Sequence, residues 1–176
     1  MVTTLQILEE VRTLVMPVNE TAEQRADFDY KVELLIPSAL TLMAVRICND
    51  PAVGEKRELL RRQFTIDIVG GAGDLHPILT GDDRLLLPSL KRANIFVGGF
   101  DTPLEWLPER GDLALSRSPV FGYFAVEGES FYCVNVDDGG LDFTADFVPT
   151  LGNLADQLVP DLAVTLVEML MGARTK

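Results

Sequence analysis

The sequence predicts an α+β fold: a helical bundle with an inserted antiparallel β subdomain and a C-terminal helix. Two patterns predict it. Apolar residues recur at helical spacing before residue 62 and again after residue 159, whereas 64–69 and 118–150 alternate with a period of two. The third observation is the order, helices then strands then a helix, with no internal repeat and no linker long enough for two independent domains. The 176 residues are therefore read as a single domain. Its parts are a helical part at 1–62, a β-rich subdomain at 63–150, and a C-terminal helix at 151–176 that returns to the helical part.

The first helix starts at Thr3 or Thr4, either of which can cap it, and runs through about Val15. Leu5, Leu8, Val11 and Leu14 or Val15 form its stripe, and Pro17 and Asn19 end it. Thr21 opens the second helix, with Gln24 three residues on as a capping-box partner. Phe28, Val32, Leu35, Ile36, Ala39, Leu40, Met43 and Ile47 make one apolar stripe; Leu34, Ser38, Leu42 and Val45 make a second. A helix apolar on two faces is buried in its own core or lies between subunits. Pro37 removes one helical hydrogen bond at a cost of about 3 kcal/mol, so a kink or break is expected there. Asn49-Asp50-Pro51 ends the element.

A short helix over 54–62 carries the basic cluster Lys56, Arg57, Arg61 and Arg62. The cluster is either a solvated helix face or a contact with an acidic neighbouring subunit. Phe64, Ile66 and Ile68 then alternate with Thr65 and Asp67 as a strand. Gly70-Gly71-Ala72-Gly73-Asp74 has the glycine content of a phosphate-binding loop, but Leu75-His76-Pro77 follows where a helix is required, and no Lys-Ser/Thr pair is present. It reads as a turn. A further strand is expected over 91–97, ending at Gly98-Gly99. The only tryptophan, Trp106, is framed by Pro103 and Pro108, as a core or loop anchor or as an interface hot spot.

Residues 118–150 are expected to form a three-stranded meander. Phe121, Tyr123 and Ala125 alternate with Gly122 and Phe124; Phe131, Cys133 and Asn135 with Tyr132 and Val134. Leu141, Phe143, Ala145 and Phe147 alternate with Asp142, Thr144 and Asp146, so Asp142 and Asp146 are expected outside. Glu127-Gly128 and Asp137-Asp138-Gly139-Gly140 supply the turns. The last element begins near Leu151 or Asn153. Pro160 suits its first turn, Leu162, Ala163, Leu166, Val167 and Leu170 form its stripe, and Gly172 is placed to cap its end. Arg174 and Lys176 favour the negative helix end.

Composition narrows the function classes. Folding a chain of this length buries roughly 70% of the surface of the unfolded chain, so no staple is needed. The formal charge of −12 argues against a nucleic-acid binder, which shows a basic face. It serves solubility, or a surface that must not stick to passing DNA. Cys48 and Cys133 lie in apolar patterns as buried thiols, and no Cys/His cluster implies a metal. The N-terminus lacks a basic region before a long apolar one, and no unbroken apolar run approaches ~18 residues. Neither a signal peptide nor a membrane span is expected.

Catalysis needs convergent groups. His76 is the single histidine and no motif ties a nucleophile to it. Asp82-Asp83 and Asp137-Asp138 lie in turn contexts where Asp bonds the backbone. No catalytic residue, metal ligand or cofactor is expected. A small enzyme using His76 or a carboxylate pair, and a bacterial binding module on the same core, are the readings from other classes.

Four local features in fixed order carry a family resemblance. They are 64–70 with Asp74-Leu75; Pro103-Leu104-Glu105-Trp106-Leu107-Pro108 with Asp112-Leu113; Tyr123 to Gly128 with its partner strand; and Phe147-Val148-Pro149 before Val159-Pro160-Asp161-Leu162. In these the chain resembles the head-to-tail adaptor (connector, or head-completion) proteins of tailed bacteriophages, over most of its length. The resemblance implies a virion structural protein at the head–tail junction, made in the host cytoplasm. It implies a homo-oligomeric ring, commonly a dodecamer, that binds the portal protein and offers a platform to a tail or neck protein. DNA would pass through its channel without sequence-specific binding. Another neck component, such as a tail-completion or stopper ring, is the alternative. Family members dock on the portal through the C-terminal helix and a trailing extension; this chain has few residues after Gly172, which departs from that mode. The residues expected at interfaces are Leu34, Leu42, Val45, Arg61, Arg62, Trp106, Leu166, Leu170, Arg174 and Lys176.

Overall fold

The computed structural model describes residues 1–15, 21–96, 103–115 and 122–174. The fold is α+β. The helices are α1 (Thr4–Val15), α2 (Ala22–Asn49), α3 (Gly54–Glu58), α4 (His76–Thr80), α5 (Leu87–Leu90), α6 (Arg110–Leu115) and α7 (Val159–Arg174). The strands are β1 (Arg61–Val69), β2 (Ala72–Asp74), β3 (Arg84–Leu85), β4 (Glu105–Trp106), β5 (Tyr123–Glu127), β6 (Ser130–Val134) and β7 (Gly139–Val148). The chain divides into a helical unit, Met1–Leu60 with Val148–Lys176, and a sheet unit, Arg61–Phe147.

In the helical unit, α7 packs against both α1 and α2. Thr3 caps α1, its hydroxyl accepting from the Gln6 N–H at 3.3 Å. The α1 core face is Ile7, Leu8 and Val11, whereas Leu5 and Leu14, placed in the stripe from sequence, are exposed. The capping box of α2 is present in both directions: Gln24 N–H to Thr21 Oγ1, and Thr21 N–H to Gln24 Oε1. The core of α2 is Val32, Ile36, Ala39, Leu40, Met43, Ala44, Ile47 and Cys48.

No break occurs at Pro37; α2 is continuous through it. Pro37 and Glu33, whose carbonyl loses its donor, are both exposed, so water can take the missing bond. Burial of Ile36, Ala39 and Leu40 beside it holds the helix. Among the described residues α2 is also the one helix apolar and long enough to cross a membrane, with a window of mean hydropathy 1.4. That window is 44% buried, and buried core helices meet the same criterion.

Helix α7 starts with Pro160 in its first turn, after a 3-10 turn at Asp156–Leu158. It runs on to Arg174, so Gly172 lies inside the helix and does not cap it. Arg12 and Asp29 form an ion pair between α1 and α2 that is largely shielded from solvent. Pro17, Asn19 and Lys176, to which sequence reading gave roles, lie outside the described residues.

The sheet unit holds seven strands in the order β3-β7-β1-β2-β6-β5-β4. Neighbours are antiparallel in β1–β2, β1–β7, β2–β6 and β5–β6, while β4 and β5 run parallel. The expected meander is not formed. Strands β5 and β6 make a hairpin, but β7 pairs with β1 over a register from Arg61↔Asp146 to Ile68↔Gly139. The reason is geometric. Strand β6 is already bonded on both edges, by β5 and β2, and the long β7 finds a partner of matching length and alternation in β1.

Other boundaries also move. The strand expected at 64–69 begins at Arg61, so Arg61 and Arg62 belong to β1 and the short helix ends at Glu58. No strand forms over 92–96; helix α5 and a turn precede an extended stretch, and Gly98-Gly99 lie outside the described residues. The glycine segment is a two-residue hairpin turn, with Gly70 at φ 60° and Gly71 at φ 76° between the paired Val69 and Ala72. Both turn positions need positive φ, which favours glycine. A helix does follow, but α4 has five residues and Pro77 in its first turn. Gly70 N–H is already given to Asp138 Oδ1 at 2.7 Å, so the loop does not present a bare phosphate cradle.

One face of the sheet carries the core. Phe64, Ile66, Ile68, Leu85, Phe124, Phe131, Cys133, Leu141, Phe143 and Phe147 are its strand residues, packed with Leu75, Leu90, Ile95 and Leu104. Phe64 stacks on Phe143 at 5.8 Å and Phe124 on Phe131 at 5.2 Å. On the opposite face, α6 lies over β5 and β6, and the Arg110 guanidinium sits 4.0 Å from the Tyr132 ring centre.

Candidate interaction surface

The second stripe of α2 carries exposed and half-buried apolar side chains. Leu34 is 61% exposed, and Leu42 and Val45 are half-buried. Tyr30, which sequence reading missed, is also 61% exposed. At 100° per residue, Tyr30, Leu34, Pro37, Thr41 and Val45 fall on one strip of the helix. That strip points away from Val32, Ile36, Met43 and Ile47. The signal for Tyr30 was its i−4 spacing from Leu34. Lys31 and Asp27 flank the strip as an exposed i,i+4 ion pair. On α7, Leu166 is 0% exposed, so its reading as an interface residue is corrected: it is core. Leu170 is half-buried, and Val164 and Met171, seven residues apart, are exposed. Arg174 closes α7; its side chain, like the whole of Lys176, lies outside the described residues.

The basic cluster is split between two elements. Lys56 on α3 donates to both carboxylate oxygens of Asp161 on α7 at 2.8 Å. Arg62 on β1 lies over the Phe147 ring at 4.8 Å, with its Nε 3.3 Å from Asp83. Arg61 is exposed at the start of β1. Lys56 and Arg62 thus meet carboxylates of their own chain. Trp106 is half-buried on β4, with the Lys91 ammonium 4.7 Å above its ring.

The acidic turns do backbone work. Asp138 accepts from Gly70 N–H, and Asp74 Oδ1 from His76 N–H at 2.9 Å. Asp142 is exposed and accepts from Thr65 Oγ1 at 2.5 Å. Asp146, expected outside, is 1% exposed. Its main chain is clamped by Ser89: Asp146 N–H donates to Ser89 Oγ at 3.0 Å, and Ser89 Oγ–H donates to Asp146 O at 3.2 Å. Alternation assigns Asp146 to the outer face of the sheet, but that face is not open at this end of β7.

His76 Nδ1 is 3.0 Å from Glu129 Oε2, and both side chains are more than half exposed. Among the described contacts no hydroxyl or thiol is hydrogen-bonded to the ring. A shallow pocket of about 260 Å³ is lined by Pro108, Glu109, Arg110, Gly111, Val126 and Glu127. Its charged lining residues are one arginine and two glutamates, with no histidine, thiol or hydroxyl. Among the described residues no group of three His, Cys, Asp or Glu is placed to hold a metal.

Cys48 and Cys133 are buried and form no disulfide. Burial, and after it the Asp138 carboxylate, push the Cys133 thiol up to about 11. The folded protein therefore holds this thiol neutral where the unfolded chain ionises it. The sign follows from linkage: the unfolded state releases the proton first, so stability falls as pH rises from 9.0 toward about 11. Urea midpoints should drop across that interval, and the drop should be smaller in Cys133→Val. Equal drops in both proteins would refute the assignment.

A scan of the chain against protein-family models finds no matching family, and a search of curated proteins finds no match to it.

Proposed function

We propose that this chain is a virion structural protein of a tailed phage, a subunit of an adaptor ring below the portal that joins head to tail and extends the DNA channel. It acts without catalysis. The observation that carries the reading is the uncharged strip Tyr30, Leu34, Pro37, Thr41 and Val45 on the side of α2 opposite its core. A closed ring requires each subunit to offer one surface to a neighbour and a different one to the next. A helix with a second apolar strip supplies one such surface, and Val164 and Met171 on α7 supply apolar positions on another helix. The inserted sheet unit would be the platform for the tail or neck partner. With a charge of −12, carboxylates on the channel side would repel DNA phosphates and let DNA slide.

The test is assembly with the portal protein of the same genome, viewed by negative-stain electron microscopy and native mass spectrometry. A ring coaxial with the portal is expected. Leu34→Glu should abolish that ring and leave the circular dichroism spectrum unchanged. A wild-type chain that stays monomeric with the portal present, or a Leu34→Glu ring of normal yield, would sink the reading.

A further inference from the structure

Strand β7 lies one position from the end of the sheet, and the strand beyond it, β3, has only two residues. Asp146 shows which way the β7 backbone faces. Its carbonyl accepts from Leu86 N–H at 2.9 Å and its N–H donates to Ser89 Oγ, so both groups point to the β3 side. In an antiparallel ladder successive residues turn their N–H and C=O to opposite edges. Asp142 and Gly140 therefore turn theirs to the same side as Asp146, while Phe143, Leu141 and Gly139 face β1. Strand β3 reaches only the Asp146 end. At Gly140 and Asp142 no strand lies against β7 among the described residues, and both residues are exposed.

Proteins usually protect such an edge with proline, lysine or a covering loop, because open N–H and C=O groups template a further strand. Residues 139–143 contain neither proline nor lysine. We propose that this edge binds an extended basic segment of another protein as an added strand. The proposal does not rest on the ring reading.

Charge selects the occupant. Exposed carboxylates of Asp67, Asp137, Asp138 and Asp142 surround the edge. Pairing of two copies of this edge across a two-fold axis near Asp142 would bring the two Asp142 side chains together, and like charges directly opposite are destabilising. A segment with Lys or Arg at alternate positions instead meets Asp142 on the outer face. Its intervening residues lie beside Leu141 and Phe143, so they should be apolar or β-branched.

The probe is a blocked peptide of about ten residues alternating lysine and valine, within the usual length of a strand. It is titrated into the ¹⁵N-labelled full chain. The amides of Gly140 and Asp142 should shift and become protected from exchange, and binding should weaken with salt. Asp142→Pro removes the edge N–H and leaves the β1 ladder bonds in place; it should cost about tenfold in affinity. Protection at Leu141 and Phe143 reports whether that variant keeps its sheet. If it does not, Asp142→Lys replaces it: lysine–valine binding should be lost and glutamate–valine binding gained. Shifts that map elsewhere, equal wild-type binding of the glutamate–valine peptide, or unchanged binding in both variants would overturn the proposal. Self-association with protection at Gly140 in the absence of peptide would overturn it too, assigning the edge to a second copy.

Discussion

Alanine at Phe131 should lower the unfolding free energy of the sheet unit by about 3–5 kcal/mol, the usual cost of deleting a large buried aromatic ring. Phe131 is 0% exposed and stacks on Phe124 at 5.2 Å. Its cross-strand neighbours are Val126 on β5 and Gly73 on β2. Gly73 offers no side chain to fill the void, and the space above it is already taken: a Cβ there would lie 2.4 Å from Ile66 Cγ2 and 2.9 Å from Ile68 Cδ1. The neighbourhood therefore has little room to rearrange, which places the expected loss toward the upper end. Urea denaturation followed through near-UV aromatic dichroism measures it. Phe131→Leu, which keeps most of the volume, should cost less than the alanine variant. A loss below about 1 kcal/mol in the alanine variant would mean that Phe131 is not a centre of this core.

The second large effect separates core from surface in the helical unit. Leu166→Ala should cost about 2–5 kcal/mol, because Leu166 is 0% exposed on the helix that packs on both α1 and α2. Leu34→Ala should fall within about 0.5 kcal/mol of wild type, because a residue 61% exposed leaves almost no cavity. Far-UV dichroism in urea reports on both. The pair also disentangles the assembly experiment. A lost ring in a Leu166 variant would reflect unfolding, whereas a lost ring in a Leu34 variant with native stability would reflect a missing contact. Equal stability losses at both positions would contradict the placement of the α2 strip on the outside.

Local signals in the sequence predicted local structure well. Thr21 and Gln24 specify a helix start by chemistry confined to four residues, and the capping box forms. Strict alternation of Leu141, Phe143, Ala145 and Phe147 marks the buried face of β7, and all four are buried. What alternation does not encode is the partner. Strands β6 and β7 are close in sequence, yet β1 and β2 lie between them, because pairing depends on matched length and on edges left open by other strands. Nor does alternation say whether anything covers a face, which is why Asp146 was read as exposed. Arg61 and Arg62 followed a helical run in charge pattern only; apolar alternation begins at Phe64, and it is pairing with Asp146 and Ala145 of β7 that carries the strand back to Arg61. Gly172 resembled a cap, but a helix tolerates one glycine near its end at about 1 kcal/mol. For the candidate surface, Leu34 was legible because a stripe opposite the core is visible on a helical projection. Leu166 was not: it stands in the apolar stripe of α7 with Leu162 and Ala163, but the stripe continues through Val167 and Leu170, so spacing alone does not separate its buried members from its half-buried ones.

The pairing of β1 with β7 has a consequence for how this chain is put together. Arg61, where the sheet unit begins, sits directly opposite Asp146, one residue before the unit ends. Directly opposed residues of an antiparallel pair lie about 5 Å apart at their Cα atoms. Entry and exit are thus side by side, so in the chain the sheet unit is a cassette inserted between α3 and α7. A cassette of this kind can be lengthened, traded or excised with a bridge of a few residues. Related chains could therefore keep a common helical frame while carrying different sheets, and the frame and the cassette would then diverge at separate rates.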